Sequence, residues 1–96
     1  MRKILVTGST GQLGSELLVL SPMYSQYEWI FADRTKVTLD NLELLESQLA
    51  GVKPDVIFNC GAYTAVDKAE SEKDLAFIIN NFAVEVIAKY AKENNV

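Results

Sequence analysis

Histidine is absent from this chain and cysteine occurs once. Without histidine, no Ser-His or Cys-His nucleophilic system can be assembled from these residues. A lone Cys60 can neither close an internal disulfide nor supply the paired spacing of a metal site, so it reads as a small packed side chain. Basic clusters are missing as well. Nine Lys and Arg stand against thirteen Asp and Glu, a net charge of −4, and the electrostatic footprint of a nucleic-acid or anionic-membrane binder is lacking. No apolar run approaches the roughly 18 residues of a membrane span, and Met1-Arg2-Lys3 leads into a run too short for a signal-peptide core. The expectation is a cytoplasmic chain with neither nucleic-acid nor membrane partners.

What is present is an ordinary globular composition, 49% hydrophobic and 23% charged, with enough apolar content for a core and no repeat, linker or low-complexity segment. Ninety-six residues suffice for one small domain, which buries only about 60–65% of its unfolded surface and is marginally stable for that reason.

The most informative stretch is Ile4 to Gly14. Ile4, Leu5 and Val6 form a continuous apolar run, as in a strand buried on both faces of a parallel sheet. Glycines follow at 8, 11 and 14. At Gly8 and Gly11 a Cβ would obstruct a tight turn and the approach of a pyrophosphate to the backbone, whereas Gly14 lets the next helix sit close to the strand. Unpaired N–H groups and the positive dipole end of that helix favour an anion without any basic residue. Gly8, Thr10, Gly11, Gln12, Leu13 and Gly14 are therefore the candidate cradle. The usual dinucleotide fingerprint is G-x-G-x-x-G; the G-x-x-G-x-x-G spacing here points toward the short-chain dehydrogenase style of Rossmann fold. A strand-to-helix turn whose glycines serve backbone geometry alone is the competing reading.

Further along, Leu13, Leu17 and Leu20 recur at helical spacing, and Ser21-Pro22 stops that helix. Glu28 to Ala32 reads as a second buried strand ending at Asp33-Arg34. Val37-Thr38-Leu39 reads as a short edge strand, after which Asp40 and Glu43 form a capping-box-like pair ahead of a stripe of Leu42, Leu45 and Leu49. Gly51 is expected just past that helix, with Pro54 beyond it. Asp55 to Cys60 is the next strand, running into the small residues Gly61 and Ala62. Ser71 with Asp74 would cap a long helix with Leu75, Ile79, Phe82, Val86 and Tyr90 inward, ended by Asn94-Asn95. This order predicts an α/β, Rossmann-like doubly wound parallel sheet, truncated, in three α/β/α layers with strand order 3-2-1-4 and its switch point between strands 1 and 4.

The segment Pro54-Asp55-Val56-Ile57-Phe58-Asn59-Cys60-Gly61-Ala62-Tyr63-Thr64-Ala65-Val66-Asp67-Lys68-Ala69-Glu70 resembles the hallmark P-D-V-I-x-N-A-A-A-Y-T-x-V-D-x-A-E of the dTDP-4-dehydrorhamnose reductase family of extended short-chain reductases. It departs only in Cys60 and Gly61, which replace two alanines and keep the site small. Gly8 to Gly14 and the pattern Ala76, Ile79-Asn80, Ala83, Ala88, Ala91 are similar to that family too. The resemblance covers nearly the whole chain but only about a third of a family member. It implies hydride transfer from NADPH or NADH to the C4 ketone of dTDP-4-dehydro-L-rhamnose, giving dTDP-L-rhamnose.

That family protonates the ketone with the Tyr of a Tyr-x-x-x-Lys pair, the Lys lowering the Tyr pKa. Four residues beyond Tyr24, Tyr27, Tyr63 and Tyr90 stand Glu28, Phe31, Asp67 and Asn94; none completes the pair, and no catalytic residue is assigned. Residues 1–96 are thus expected to be the N-terminal part of an NAD(P)-binding domain, without the substrate-binding part, and inactive alone. Asp33 is placed to accept the adenosine ribose hydroxyls of NAD, and Arg34 to pair with the 2′-phosphate of NADP; with Lys36 nearby the balance leans to NADPH. A solvated Asp-Arg turn is the plainer alternative. Cys60, Gly61, Ala62 and Thr64 are expected to line the cleft. Tyr63 is as well explained by packing as by binding, Asp67 and Glu70 by capping or solvation, and Asn80 by support of the backbone near the last strand.

Two other functions fit the same residues: a non-catalytic regulatory subunit resembling that of methionine adenosyltransferase, and another nucleotide-sugar epimerase or dehydratase. The last strand, if it has no outer neighbour, exposes an edge that invites self-association.

Overall fold

The computed structural model describes residues 1–33, 36–39, 41–61 and 78–96. Arg34, Asp40, Ala62, Tyr63, Thr64, Asp67, Glu70 and the expected Ser71/Asp74 cap lie outside them, as does the side chain of Asn80.

Strand β1 (Lys3–Thr7) is central and pairs in parallel with β2 (Glu28–Ala32) on one side and β3 (Val56–Asn59) on the other. Helix α1 (Gln12–Leu20), continued by a 3₁₀ turn at Ser21–Tyr24, connects β1 to β2, and α2 (Leu42–Val52) lies between β2 and β3. A π-helical turn at Ile78–Phe82 leads into α3 (Ala83–Asn94). The order β2-β1-β3 means that the first crossover steps one way from β1 and the second steps back across it. Right-handed connections in opposite directions cover opposite faces of the sheet. The parallel, doubly wound α/β architecture expected from the sequence is thus present.

Side chains alternate across the pleat. Leu5, Ile30, Ala32 and Ile57 share one face, where α2 supplies Leu45 and Leu49 and α3 supplies Ala83 and Ile87. Ile4 and Val6 point to the other face and are also buried, alongside Trp29, which stacks on Phe31 at 5.8 Å. Burial of each large aliphatic side chain in this core contributes about 1.5–3 kcal/mol.

Several local expectations are corrected. Val37–Leu39 is no strand, so among the described residues the sheet has three strands. The N–H groups of Lys36 and Val37 both donate to the Asp33 carbonyl, and that of Thr38 to Gln48 Oε1 at 2.8 Å. A turn and α2 satisfy the donors that a ladder would have used, while Val37 still enters the core. Helix α2 is capped by Asn41, whose Oδ1 accepts the Leu44 N–H at 3.1 Å. Gly51 lies inside α2, and the left-handed residue that ends it is Lys53, with φ 53°.

Leu13 and Leu20 are exposed on α1, which turns Gly14 and Leu17 toward the sheet instead. Space explains this. A Cβ on Gly14 would collide with the Gly8 carbonyl oxygen and approach Ser9 Cα to 2.8 Å, so the helix presents its glycine where it comes nearest. On α3 the inward residues are Ala83 and Ile87 flanked by Val86 and Tyr90, with Phe82 exposed. The expected Val86 and Tyr90 thus do meet the core, whereas Phe82 lies in the π turn that precedes α3. Among the described residues no helix is long and apolar enough to cross a membrane, and no cluster of His, Cys, Asp and Glu could hold a metal ion.

Candidate functional site

The register pairs Thr7 with both Ala32 and Asn59, so all three strands end at one level. Chain leaving those ends carries Gly8, Asp33 and Cys60-Gly61 to a single edge of the sheet. The reversal of winding falls between β1 and β3, and ligands of open α/β sheets bind in the crevice outside such a switch point.

The two loops that flank this crevice are in backbone contact. Gly8 has φ +60°, and a Cβ there would lie 2.5 Å from the Gly61 nitrogen and 2.7 Å from the Cys60 carbonyl carbon. Both the left-handed backbone and the neighbouring loop demand glycine at this position. Gly8 O then accepts the Gly11 N–H at 3.0 Å, and Ser9 N–H donates to the Ala32 carbonyl at 3.2 Å. The glycine loop is thereby tied to the end of β2, beside Asp33.

Gly11 is the N-cap of α1, with φ −76° and ψ 179° and no side-chain cap bond, and no acidic residue occupies the first turn. Its backbone is ordinary, and a Cβ would approach only Gly8 O, at 3.3 Å. What Gly11 offers is open access to the helix N-terminus, where uncapped N–H donors and the dipole favour an anion. Gln12 and Leu13 open the helix, and Thr10, Gln12 and Leu13 are exposed around it.

Cys60 and Gly61 are half-buried across the crevice. Burial pushes the Cys60 thiol up from its ordinary value, keeping it protonated and a poor nucleophile. The structure thus brings together Gly8, Gly11, Gly14, Asp33, Cys60 and Gly61, while Arg34, Ala62 and Thr64 lie outside the described residues. Two polar side chains escaped the sequence-based site. Thr7 is fully buried, donates to Asn59 Oδ1 at 2.6 Å and accepts the Gly61 N–H at 3.3 Å. The available signal for Thr7 was a single hydroxyl closing the apolar run Ile4-Leu5-Val6.

A parallel sheet with a glycine-lined helix N-terminus at its switch point defines the Rossmann type of nucleotide-binding fold. The chain belongs to the family whose model is described as RmlD substrate binding domain, which matches residues 1–96. It is 40% identical over 92 residues to the dTDP-4-dehydrorhamnose reductase of Escherichia coli (strain K12), covering 94% of this chain and 31% of that protein. It is 36% identical over 95 residues to the enzyme of that name from Aggregatibacter actinomycetemcomitans, covering 99% of this chain and 32% of the relative. Among solved structures, the dTDP-4-dehydrorhamnose reductase of Bacillus anthracis str. Ames, in complex with NADP, superposes with a TM-score of 0.86 at 30% identity, over 100% of this chain and 34% of that one. The chain spans about a third of the length of the relatives it matches.

Proposed function

We propose that residues 1–96 form the N-terminal part of the dinucleotide-binding domain of an NADPH-dependent dTDP-4-dehydrorhamnose reductase acting in the cytoplasm. The observation that carries this reading is the apposition of the Gly8 loop and the Cys60-Gly61 loop at the switch point, in a chain of this family. The site fits a dinucleotide. Gly8 and Gly14 occupy positions where a Cβ would meet backbone, and the first turn of α1 carries no competing carboxylate or side-chain cap. The α1 N-terminus would receive the pyrophosphate, Asp33 a ribose hydroxyl, and the small residues Cys60 and Gly61 would admit the adjoining ribose. A relative of the family has been solved with NADP, which supports the choice of NADPH over NADH, as do Arg34 and Lys36 beside Asp33 in sequence.

A bound nicotinamide would supply the hydride; this chain's own residues bind and orient. They include no Tyr-x-x-x-Lys pair, so proton delivery to a ketone falls to the remaining two-thirds of a family member. Titration of the chain with NADPH and NADH, followed by nucleotide fluorescence, tests the reading: NADPH should bind, and more tightly than NADH. Failure to bind either would overturn it. In the same cuvette, dTDP-4-dehydro-L-rhamnose should cause no NADPH oxidation, and turnover would overturn the assignment of these residues as non-catalytic alone.

A further inference from the structure

We propose that Gln48 of α2 is a positioning residue for the choice between NADPH and NADH: its amide oxygen fixes the far end of the segment that follows β2. The inference rests on the dinucleotide reading above, in which Asp33 receives a ribose hydroxyl and the basic residues after it favour a 2′-phosphate. The near end of that segment is held by the sheet. Ala32 ends β2 opposite Thr7, and its carbonyl accepts the Ser9 N–H at 3.2 Å, so Asp33 leaves from a fixed point. Lys36 and Val37 then turn back on it, their N–H groups donating to the Asp33 carbonyl at 3.1 and 3.0 Å.

Beyond this turn no ladder holds the chain, because Val37–Leu39 is no strand. Two apolar contacts seat it: Val37 is buried in the core, and the Leu39 Cδ1 methyl fills the space a Gly61 side chain would need. Such contacts are non-directional and tolerate a slide of the segment. The bond between them is directional. The Thr38 N–H donates to Gln48 Oε1 at 2.8 Å, a distance that fixes the peptide against α2. The mount is rigid, since Leu45 and Leu49 on either side of Gln48 are fully buried and Gln48 itself is half-buried. Without that acceptor, the cost of a partly buried N–H draws the segment toward water. Exposed Lys36, two residues before Thr38, moves with it. Asp33, tied through Ala32, stays. Loss of the Gln48 oxygen therefore bears on the 2′-phosphate and spares the ribose contact, which NADH shares.

The test compares Gln48→Met and Gln48→Glu with the unaltered chain in two readouts: hydrogen exchange at the Thr38 amide, and the ratio of NADPH to NADH affinity from nucleotide fluorescence. Methionine keeps the length and helix propensity of glutamine but offers only a weakly accepting sulfur. In that variant the Thr38 amide should exchange about fivefold faster, and the affinity ratio should fall about fivefold, chiefly through weaker NADPH binding. Glutamate keeps an accepting oxygen at the same place, so exchange should return to within about twofold of the unaltered chain. A merely structural role would weaken both nucleotides alike; an unchanged ratio in Gln48→Met would overturn the proposal. Unchanged Thr38 exchange in that variant, or an equal rise in the Met and Glu variants, would overturn it too, as would equal affinity of the unaltered chain for the two nucleotides. If the unaltered chain binds neither nucleotide, the dinucleotide reading fails and this inference with it, whereas an unchanged ratio in a chain that binds both overturns this inference alone. Should Gln48→Met not fold, Gln48→Ala removes the same acceptor and carries the same expectations.

Discussion

Gly8 and Gly61 meet backbone to backbone: a Cβ on Gly8 would stand 2.5 Å from the Gly61 nitrogen and 2.6 Å from its α-carbon. No rotamer change relieves such a clash, because neither atom belongs to a flexible side chain. Gly8 also sits at φ +60°, where an L-residue is strained by about 1–2 kcal/mol. Gly8→Ala is therefore expected to cost about 3 kcal/mol or more in urea unfolding, the strain and the clash together. A loss below about 1 kcal/mol would mean that the two loops are not in contact in solution.

Gly11 provides the contrasting case. Its backbone is ordinary and a methyl would meet only Gly8 O at 3.3 Å, so Gly11→Ala should change stability by less than about 1 kcal/mol. The methyl would nonetheless stand at the uncapped opening of α1, in the path of an anion. NADPH affinity should fall about tenfold or more while the unfolding midpoint stays near that of the unaltered chain. Equal affinity would show that the phosphates do not approach this helix end.

The sequence makes the strands legible because apolar runs bounded by polar residues mark β1, β2 and β3 with little competition. Helix faces were harder to read. On α1 the leucines at 13 and 20 suggest an inward stripe, yet close approach of the helix puts Gly14 there, and a pattern of apolar residues cannot register a glycine chosen for its lack of bulk. On α3 the expected Val86 and Tyr90 do meet the core, and the miss is Phe82, which lies in the π turn at Ile78–Phe82 and is exposed. Val37–Leu39 has strand-like residues, but a side-chain acceptor 10 residues away, Gln48, takes the Thr38 N–H, a tertiary contact with no local trace. At the sheet edge, the placement of the glycine turn after β1 and of Asp33 at the end of β2 was legible, the first from the three glycines and the second from the polar residue that closes an apolar strand. The Thr7 bridge required knowing that β1 and β3 lie side by side.

Gly51 and Lys53 stand at the end of α2 with their roles inverted. Gly51 is an exposed interior helical residue with open space where a Cβ would go, and Lys53 adopts the left-handed conformation that glycine favours. Gly51→Ala should stabilise the chain by about 0.5–1 kcal/mol. Lys53→Gly should be neutral or stabilising, relief of the positive φ being offset by a more flexible unfolded chain. Both are read from thermal or urea unfolding, and destabilisation by Gly51→Ala would show that α2 does not extend past Ala50.

Cys60 links the site to pH. Burial raises its thiol pKa, so the folded chain holds the proton more tightly than the unfolded chain does. The corresponding stability is fully present below the unfolded thiol value and is lost as pH rises through the folded one. Alkylation by iodoacetamide should therefore reach half its maximal rate at a higher pH than for free cysteine. The alkaline loss of stability should be smaller in Cys60→Ala, and that variant should still bind NADPH, since alanine is equally small. An alkylation midpoint at or below that of free cysteine would place the thiol in a polar setting.

Among the described residues no strand lies beyond β3, and Phe58 on that strand is 41% exposed. A strand edge with no partner among the described residues, next to an exposed aromatic, is a template for pairing with a second chain. We therefore expect self-association of the chain in sedimentation velocity, growing with concentration across the micromolar range. Phe58 is placed opposite Val6 in the register, so a polar residue there removes apolar surface from the edge without touching the Leu5 face of the core. Phe58→Ser should shift the distribution toward monomer while far-UV circular dichroism stays unchanged. A clean monomer for the unaltered chain at the highest concentration would rule this edge out as a site of pairing.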